Sequence, residues 1–229
     1  MGSRVAILQS YYIPWKGYFD LINRADEFVL YDHVQYTKND WRNRNLIKTR
    51  QGPQWLTIPI ARDYGQRIDE AVVANRDWAR KHWSSIAQNY ARAPYFEQYA
   101  EQFASAYEDC ARESHLSRIN FTLIRTVCAI LGITTHFTWS TEYPVDGGPT
   151  ERLVSICRLL EAAEYISGPA GRNYLDERLF EQAGITLTYM SYDRYPEYPQ
   201  LFGPFEHRVS VIDVLFNTGP EAPKFVMAS

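Results

Sequence analysis

Arg4-Val5-Ala6-Ile7-Leu8 opens the chain with a short, almost continuous apolar run. It passes through Gln9-Ser10-Tyr11-Tyr12-Ile13-Pro14 into a periodic apolar segment over residues 15–25, and Phe28-Val29-Leu30-Tyr31 then repeats the first pattern and stops at Asp32. A run of four apolar residues is too short for a helix and predicts a buried strand, whereas residues 15–25 carry apolar side chains at helical spacing. The opening therefore reads strand, loop, helix, strand.

The same alternation continues outward. Trp55-Leu56-Thr57-Ile58, stopped by Pro59, predicts a third strand, and three helices fill the middle of the chain. The first of these helices is one that Asp77 can cap, the second runs to about Arg112 after the break at Ala93-Pro94, and the third spans residues 114–131 and ends at Gly132. Residues 136–139 predict a strand, and Gly148-Pro149-Thr150 opens a helix whose Leu153, Ile156, Cys157 and Leu160 share one face. Tyr165-Ile166-Ser167 predicts a strand, residues 175–183 a short helix, and residues 185–189 a last strand. Short strands alternating with helices specify an α/β fold: a Rossmann-like, mainly parallel sheet flanked by helices, with a helical middle section. No repeat or linker divides the 229 residues, so a single domain is expected.

Composition narrows the function. The 24 Lys+Arg balance 27 Asp+Glu to a net charge of -3, which gives no general positive field for nucleic acid or an anionic membrane. Cys110, Cys128 and Cys157 show no CxxC spacing and form no disulfide framework, which suits a reducing cytoplasm. No apolar run approaches the length of a membrane span and the N-terminus lacks a signal-peptide core, so a soluble, unprocessed cytoplasmic protein without membrane insertion is expected. His33, His82, His115, His136 and His207 are scattered without metal-ligand spacing, and no GxGxxG or P-loop is present. No metal and no cofactor are expected. The aromatic residues are weighted toward 17 Tyr and 6 Trp, side chains suited to half-wet clefts for polar ring compounds.

In an open α/β sheet, ligands bind in the loops beyond the carboxyl ends of the strands. Residues 9–12, 32–35, 59–62, 140–143 and 167–173 are therefore the ones to inspect. The stretch from Asp32 to Arg50 carries five basic residues, Lys38, Arg42, Arg44, Lys48 and Arg50, against Asp32 and Asp40. It is a local +3 in a chain of -3, interleaved with Trp41 and amides. Arginine forks bind phosphate or carboxylate, and amides such as Asn43 serve sugar hydroxyls, so a phosphorylated ring compound or a phosphopantetheine carrier fits the stretch. His82 lies on the apolar side of its helix, where a neutral imidazole can serve as a general base. Asn120 falls on a buried stripe and needs partners. Cys157 sits within an apolar stripe and reads as packing, and Ser167-Gly168-Pro169-Ala170-Gly171-Arg172-Asn173 lets backbone approach a ligand.

Taken together, the chain resembles the WbqC-like protein family, over nearly its whole length as a single domain, 1–229. The resemblance is carried by Val5-Ala6-Ile7 with Gln9, Tyr12, Pro14, Trp15 and Gly17-Tyr18-Phe19; by Asp32, Val34-Gln35, Lys38, Trp41, Asn43-Arg44-Asn45 and Ile47-Lys48; and by Trp55-Leu56-Thr57-Ile58-Pro59. Further on it rests on Lys81-His82, Pro94-Tyr95-Phe96, Asn120, Tyr165-Ile166-Ser167-Gly168 with Asn173-Tyr174, and Ser210 with Asp213. The sequence departs from the family at Ser10, where proline is usual, and at His33, where an acidic residue is common. The resemblance implies a bacterial role in O-antigen, other surface-glycan or natural-product biosynthesis, and an acyl or aminoacyl transfer onto an amine is compatible with that setting.

Two functions follow. The first is a transferase acting on a small-molecule or carrier-protein-linked substrate, with His82 or Asp32 as base, and with Gln9, Tyr12, Lys38, Arg42, Asn43, Arg44, Lys48, Asn120, Ser167 and Asn173 binding substrate. The second is a non-catalytic binding or scaffold protein that presents a substrate or carrier protein to a partner enzyme, a reading favoured by the absence of a recognisable nucleophile motif. Single-stranded nucleic-acid binding through the basic aromatic run is a weaker third option.

Overall fold

The computed structural model describes residues 2–61 and 65–227. Arg62, the last of the residues expected to follow the third strand, lies outside them. Strands β1 (Ser3–Leu8) and β2 (Glu27–Leu30) flank helix α1 (Lys16–Arg24), as the opening pattern predicts. They pair in parallel with Ala6 opposite Phe28 and Ile7 opposite Val29. An antiparallel hairpin of β3 (Arg44–Thr49) and β4 (Gly52–Thr57) follows, then helices α2 (Asp77–Tyr90), α3 (Phe96–Arg112) and α4 (Leu116–Leu131). The chain returns through β5 (His136–Trp139), α5 (Pro149–Leu159), β6 (Ala162–Ser167), α6 (Glu177–Gln182) and β7 (Thr186–Tyr189), and ends in α7 (Val211–Thr218) and α8 (Pro223–Val226). Among the described residues no helix is long and apolar enough to cross a membrane.

The main sheet has the order β5-β2-β1-β6-β7, and every neighbouring pair is parallel. Side chains alternate between its two faces, so each strand serves two cores. Ala6, Phe28 and Ile166 join Tyr18, Phe19 and Ile22 of α1 and Ile124 of α4 on one side. Val5, Ile7, Val29 and Tyr165 meet Leu153, Ile156 and Cys157 of α5 and Phe180 of α6 on the other. Phe28 is fully buried with its ring 5.5 Å from Tyr18 and 5.6 Å from Phe137, a burial that stabilises the fold by about 2 kcal/mol. From β1 the chain steps outward to β2 and β5, then crosses back past β1 to β6 and β7. The order therefore reverses between β1 and β6, and the loops leaving those two strands diverge around a crevice.

Three readings change. The strand expected at residues 55–58 is β4, and it belongs to the separate hairpin rather than to the parallel sheet. Two residues join it to β3, a connection long enough only for an antiparallel pair. The second half of the basic stretch, to which periodicity assigns no element, is β3 itself. Asp77 does not cap α2: the N-cap is Arg76, and Asp77 stands in the first turn, where its charge favours the helix N-terminus. Gly132 does end α4, at a φ of 71°. The last forty residues add what periodicity left unread. Ser210 caps α7 by accepting the Ile212 N–H at 3.3 Å, and buried Asp213 accepts from Tyr90 (2.8 Å), Tyr198 (2.9 Å) and Gln200 (2.8 Å). These bonds fasten α7 to the helical section.

Candidate functional site

A large cavity opens above the carboxyl ends of β1 and β7. It encloses about 620 Å³ and is lined by Tyr11, Pro14, Trp15, Trp41, Asn45, Tyr192, Asp193, Tyr195, His207 and Arg208. Its wall is an aromatic cluster in which Trp15 meets Tyr192 edge-on at 4.9 Å and Tyr195 at 5.7 Å. Gly17 makes room for that indole, since a Cβ there would meet it at 2.4 Å. The loop after β1 is held in a tight conformation: Ile13 takes a φ of 34°, and Asn45 donates to the carbonyls of Tyr12 (3.1 Å) and Ile13 (2.9 Å). A β-branched residue at positive φ costs about 1–3 kcal/mol, so Asn45 from the hairpin fixes a strained turn beside the cavity.

Below this wall several of the expected residues converge on Ser10. Asp32 is buried and accepts the Ser10 N–H at 2.7 Å and the Ser117 hydroxyl. Asn120 donates from Nδ2 to Ser10 Oγ (3.0 Å) and to the Arg42 carbonyl (2.9 Å), and Asn43 donates to the Ile58 carbonyl at 2.9 Å. These bonds fix the orientation of both amides. Among the described residues, however, buried Asn43 Oδ1, Asn120 Oδ1 and Arg42 Nε have no hydrogen-bond partner, an arrangement that calls for an explanation such as a ligand. The Arg42 guanidinium pairs with Asp40 and lies 5.9 Å from the Tyr11 ring, which joins this network to the cavity wall. Burial raises the Asp32 carboxyl above its ordinary range, opposed by the hydroxyl and N–H donors of Ser117 and Ser10.

The other expected residues lie elsewhere. His82 is buried in the core beneath the cavity. Its hydrogen bond to the Thr57 carbonyl leaves Nδ1 to accept from the Tyr12 hydroxyl at 2.7 Å, and Tyr12 in turn accepts from Tyr107 at 2.7 Å. Burial lowers His82 to about 4, so the ring is neutral near pH 7. Lys48 Nζ donates to Gln200 Oε1 (3.2 Å) and to the Pro204 carbonyl, pinning the segment before α7. Gln9 contributes its carbonyl to the Tyr18 hydroxyl at 3.0 Å, and Ser167 Oγ donates to the Gly168 carbonyl at 3.2 Å. Lys38 and Asn173 are exposed, and Arg44 lies over Trp55 on the hairpin. None of the expected site residues lines the large cavity.

Asp32 lines a second, more polar cavity of about 370 Å³, with His33, Asp69, Glu113, His115, Ser117 and Arg118. Among the described residues no group of three His, Cys, Asp or Glu side chains is placed to hold a metal ion. Burial raises the Cys157 thiol to about 12, in keeping with its place in the packed face of α5.

Sequence reading missed Tyr192, Asp193 and Tyr195, although they directly follow the last strand and the strand-end rule applies to them as well. His207 and Arg208 reach the cavity only because the C-terminal segment folds back, and no local pattern announces that. Lys16, on the first turn of α1, is buried with its ammonium bonded to the Pro196 carbonyl (3.1 Å), 5.0 Å from the Tyr195 ring and 5.2 Å from the Tyr198 ring. Burial lowers Lys16 to about 8. Burial, and then the Lys16 charge, also lower His207, which leaves a neutral imidazole on the cavity wall near pH 7.

A family model described as the WbqC-like protein family matches residues 9–225. The chain is also 46% identical over 225 residues to a protein of Mycobacterium tuberculosis named "Uncharacterized protein Rv1507c", with 97% of each chain covered. No solved structure matches it significantly.

Proposed function

Because the chain belongs to the WbqC-like protein family, we propose that it is a transferase of bacterial surface-glycan (O-antigen) or natural-product biosynthesis, which moves an acyl or aminoacyl group onto an amine of a ring-containing acceptor. The observation that supports this most is the aromatic cavity at the strand ends, with one neutral histidine and one arginine on its wall. Tyr192, Tyr195, Trp15 and Trp41 offer faces to a sugar or nucleoside ring, and Arg208 offers a fork to an anionic group. In this reading the amine attacks the carbonyl of a thioester donor, His207 takes the amine's proton as the C–N bond forms, and the C–S bond breaks with the sulfur leaving as a thiol that takes up that proton. Asp32 and Asn120 hold the loop after β1 in place, and His82 acts through Tyr12 as a positioning residue.

A thermal-shift screen against nucleotide sugars, nucleotides, coenzyme A thioesters and carrier-protein thioesters tests the proposal. Ligand at about 100 times Kd stabilises by about 2.7 kcal/mol, a shift of several degrees for a chain of this size. The expected result is a shift with one class that disappears in Tyr192→Ala. Once a substrate is found, His207→Gln should lower turnover about 10²- to 10⁴-fold while affinity changes little. A shift that survives in Tyr192→Ala would move the ligand out of this cavity.

The scaffold reading draws on one observation: both bases named from sequence, His82 and Asp32, are hydrogen-bonded inside the fold. It predicts ligand binding with turnover of no substrate class, and unchanged binding in His207→Gln.

A further inference from the structure

Past the cavity mouth the aromatic wall continues onto the hairpin. Trp41 lines the cavity and lies 5.5 Å from Trp55 at a tilt of 40°; the two indoles are 41% and 43% exposed. Single exposed aromatics are common on a protein surface, but two in contact at the rim of a cavity are not, and they leave apolar ring area in water. The Arg44 guanidinium stands 4.2 Å from the Trp55 ring. Arg42, Arg67 and Arg4 have carboxylate partners, whereas Arg44 makes no ion pair and no side-chain hydrogen bond among the described residues. Its Nε is buried and unpartnered, an N–H donor without an acceptor. The surrounding stretch, residues 32–50, carries the local +3, and exposed Lys38 belongs to it.

A ligand that resolves both deficits needs a planar ring for the indoles and an oxyanion for the guanidinium. We propose that Trp41, Trp55 and Arg44 form an outer subsite for a nucleoside diphosphate, with its base on the indoles and a phosphate on Arg44. The group attached to that phosphate passes Trp41 into the aromatic cavity. This direction of travel rests on the cavity reading above; the subsite itself rests on the hairpin residues. Base stacking on aromatic side chains together with charge-assisted bonding to phosphate is the chemistry the patch supplies.

The test is titration of the whole protein with uridine diphosphate and with inorganic pyrophosphate, each at two salt concentrations. Both should bind, more weakly at high salt, with the nucleotide tighter by about tenfold or more because the base adds stacking. Arg44→Gln should weaken both about tenfold, while Trp55→Ala should remove the advantage of the nucleotide over pyrophosphate and leave pyrophosphate nearly unchanged. Thermal melts of the two variants show that the hairpin still folds. The proposal is overturned if neither anion binds, or if Arg44→Gln binds both as the unaltered protein does. Tyr192→Ala separates the two readings: nucleotide binding that survives it while no cavity ligand is found leaves the outer subsite standing and removes the cavity reading, and cavity ligands that bind with no effect of Arg44→Gln do the reverse.

Discussion

Val5, Ala6 and Ile7 in β1, and Ser10 just beyond its end, are all within 5% of full burial, yet they are buried among different things. The strand residues pack against aliphatic and aromatic side chains on both faces of the sheet. Ser10 is held by Asp32, which also accepts from Ser117, and by Asn120, close to a backbone held at positive φ and to amide oxygens without a hydrogen-bond partner among the described residues. Burial of the first kind is favourable in itself; burial of the second kind needs every polar group answered, and here some are not. A protein tolerates unanswered groups where the rest of the fold holds them and a ligand can meet them. The sheet is thus the source of stability, and the loops above it draw on that stability.

The largest effect should come from the sheet. Phe28→Ala removes a fully buried ring from between Tyr18 and Phe137, and denaturant unfolding should show a loss of about 3–5 kcal/mol. A loss below about 1 kcal/mol would mean that the sheet is not what carries the fold. The next effect is a pH dependence from the polar layer. His82 is lowered to about 4 by burial, so the folded chain binds a proton there less readily than the unfolded chain, whose imidazole has the ordinary value of 6.5. The stability His82 allows is complete above pH 6.5 and is lost as pH falls through the window from 6.5 to 4. The loss is on the order of 3 kcal/mol. Asp32 and Asp213 act in the opposite sense, because their raised values make folding easier as they protonate. The clean measurement is therefore the stability difference between the unaltered chain and His82→Gln: the unaltered chain should fall behind as pH drops from 6.5 to 4. A difference that stays flat over that range would place His82 in water.

This contrast also explains what could be read beforehand. The sheet was legible because a strand buried on both faces writes a run such as Arg4-Val5-Ala6-Ile7-Leu8; its order was not, since the hairpin and three helices lie in sequence between β2 and its neighbour β5. The hairpin was half legible: Trp55-Leu56-Thr57-Ile58 announced a strand, but nothing in the periodicity of residues 44–49, where Asn45 and Lys48 are as buried as Ile47, announces its partner. Polar residues buried for a structural or binding purpose erase the alternation that marks a strand. Asp32 is legible from its place after a strand, Arg42 and Asn43 from the basic stretch, and Asn120 from its buried helical stripe; Asp32, Asn120 and the Arg42 carbonyl meet around Ser10, whereas Asn43 bonds to the Ile58 carbonyl. Trp41 and Tyr192 form one cavity wall although 150 residues separate them, and only the folded chain brings them together.

The smallest stability effect should belong to Tyr192, and it is the most informative. Its ring is half-buried, touching Trp15 and stacking 6.0 Å from Tyr195, so Tyr192→Ala gives up one edge-on contact and part of one apolar face. No cavity opens in a packed core, because one already stands there. The expected cost is about 1 kcal/mol, from the aromatic pair and the partial burial together. Phe28 and Tyr192 are both aromatic residues in ring clusters on the same molecule, so differing losses would come from what each cluster is for. If Tyr192→Ala instead costs as much as Phe28→Ala, the aromatic wall is part of the core, and its rings are shaped by folding rather than kept free for a ligand. If it costs about 1 kcal/mol while the thermal shift by ligand vanishes, stability and binding separate along the line between strand and strand end.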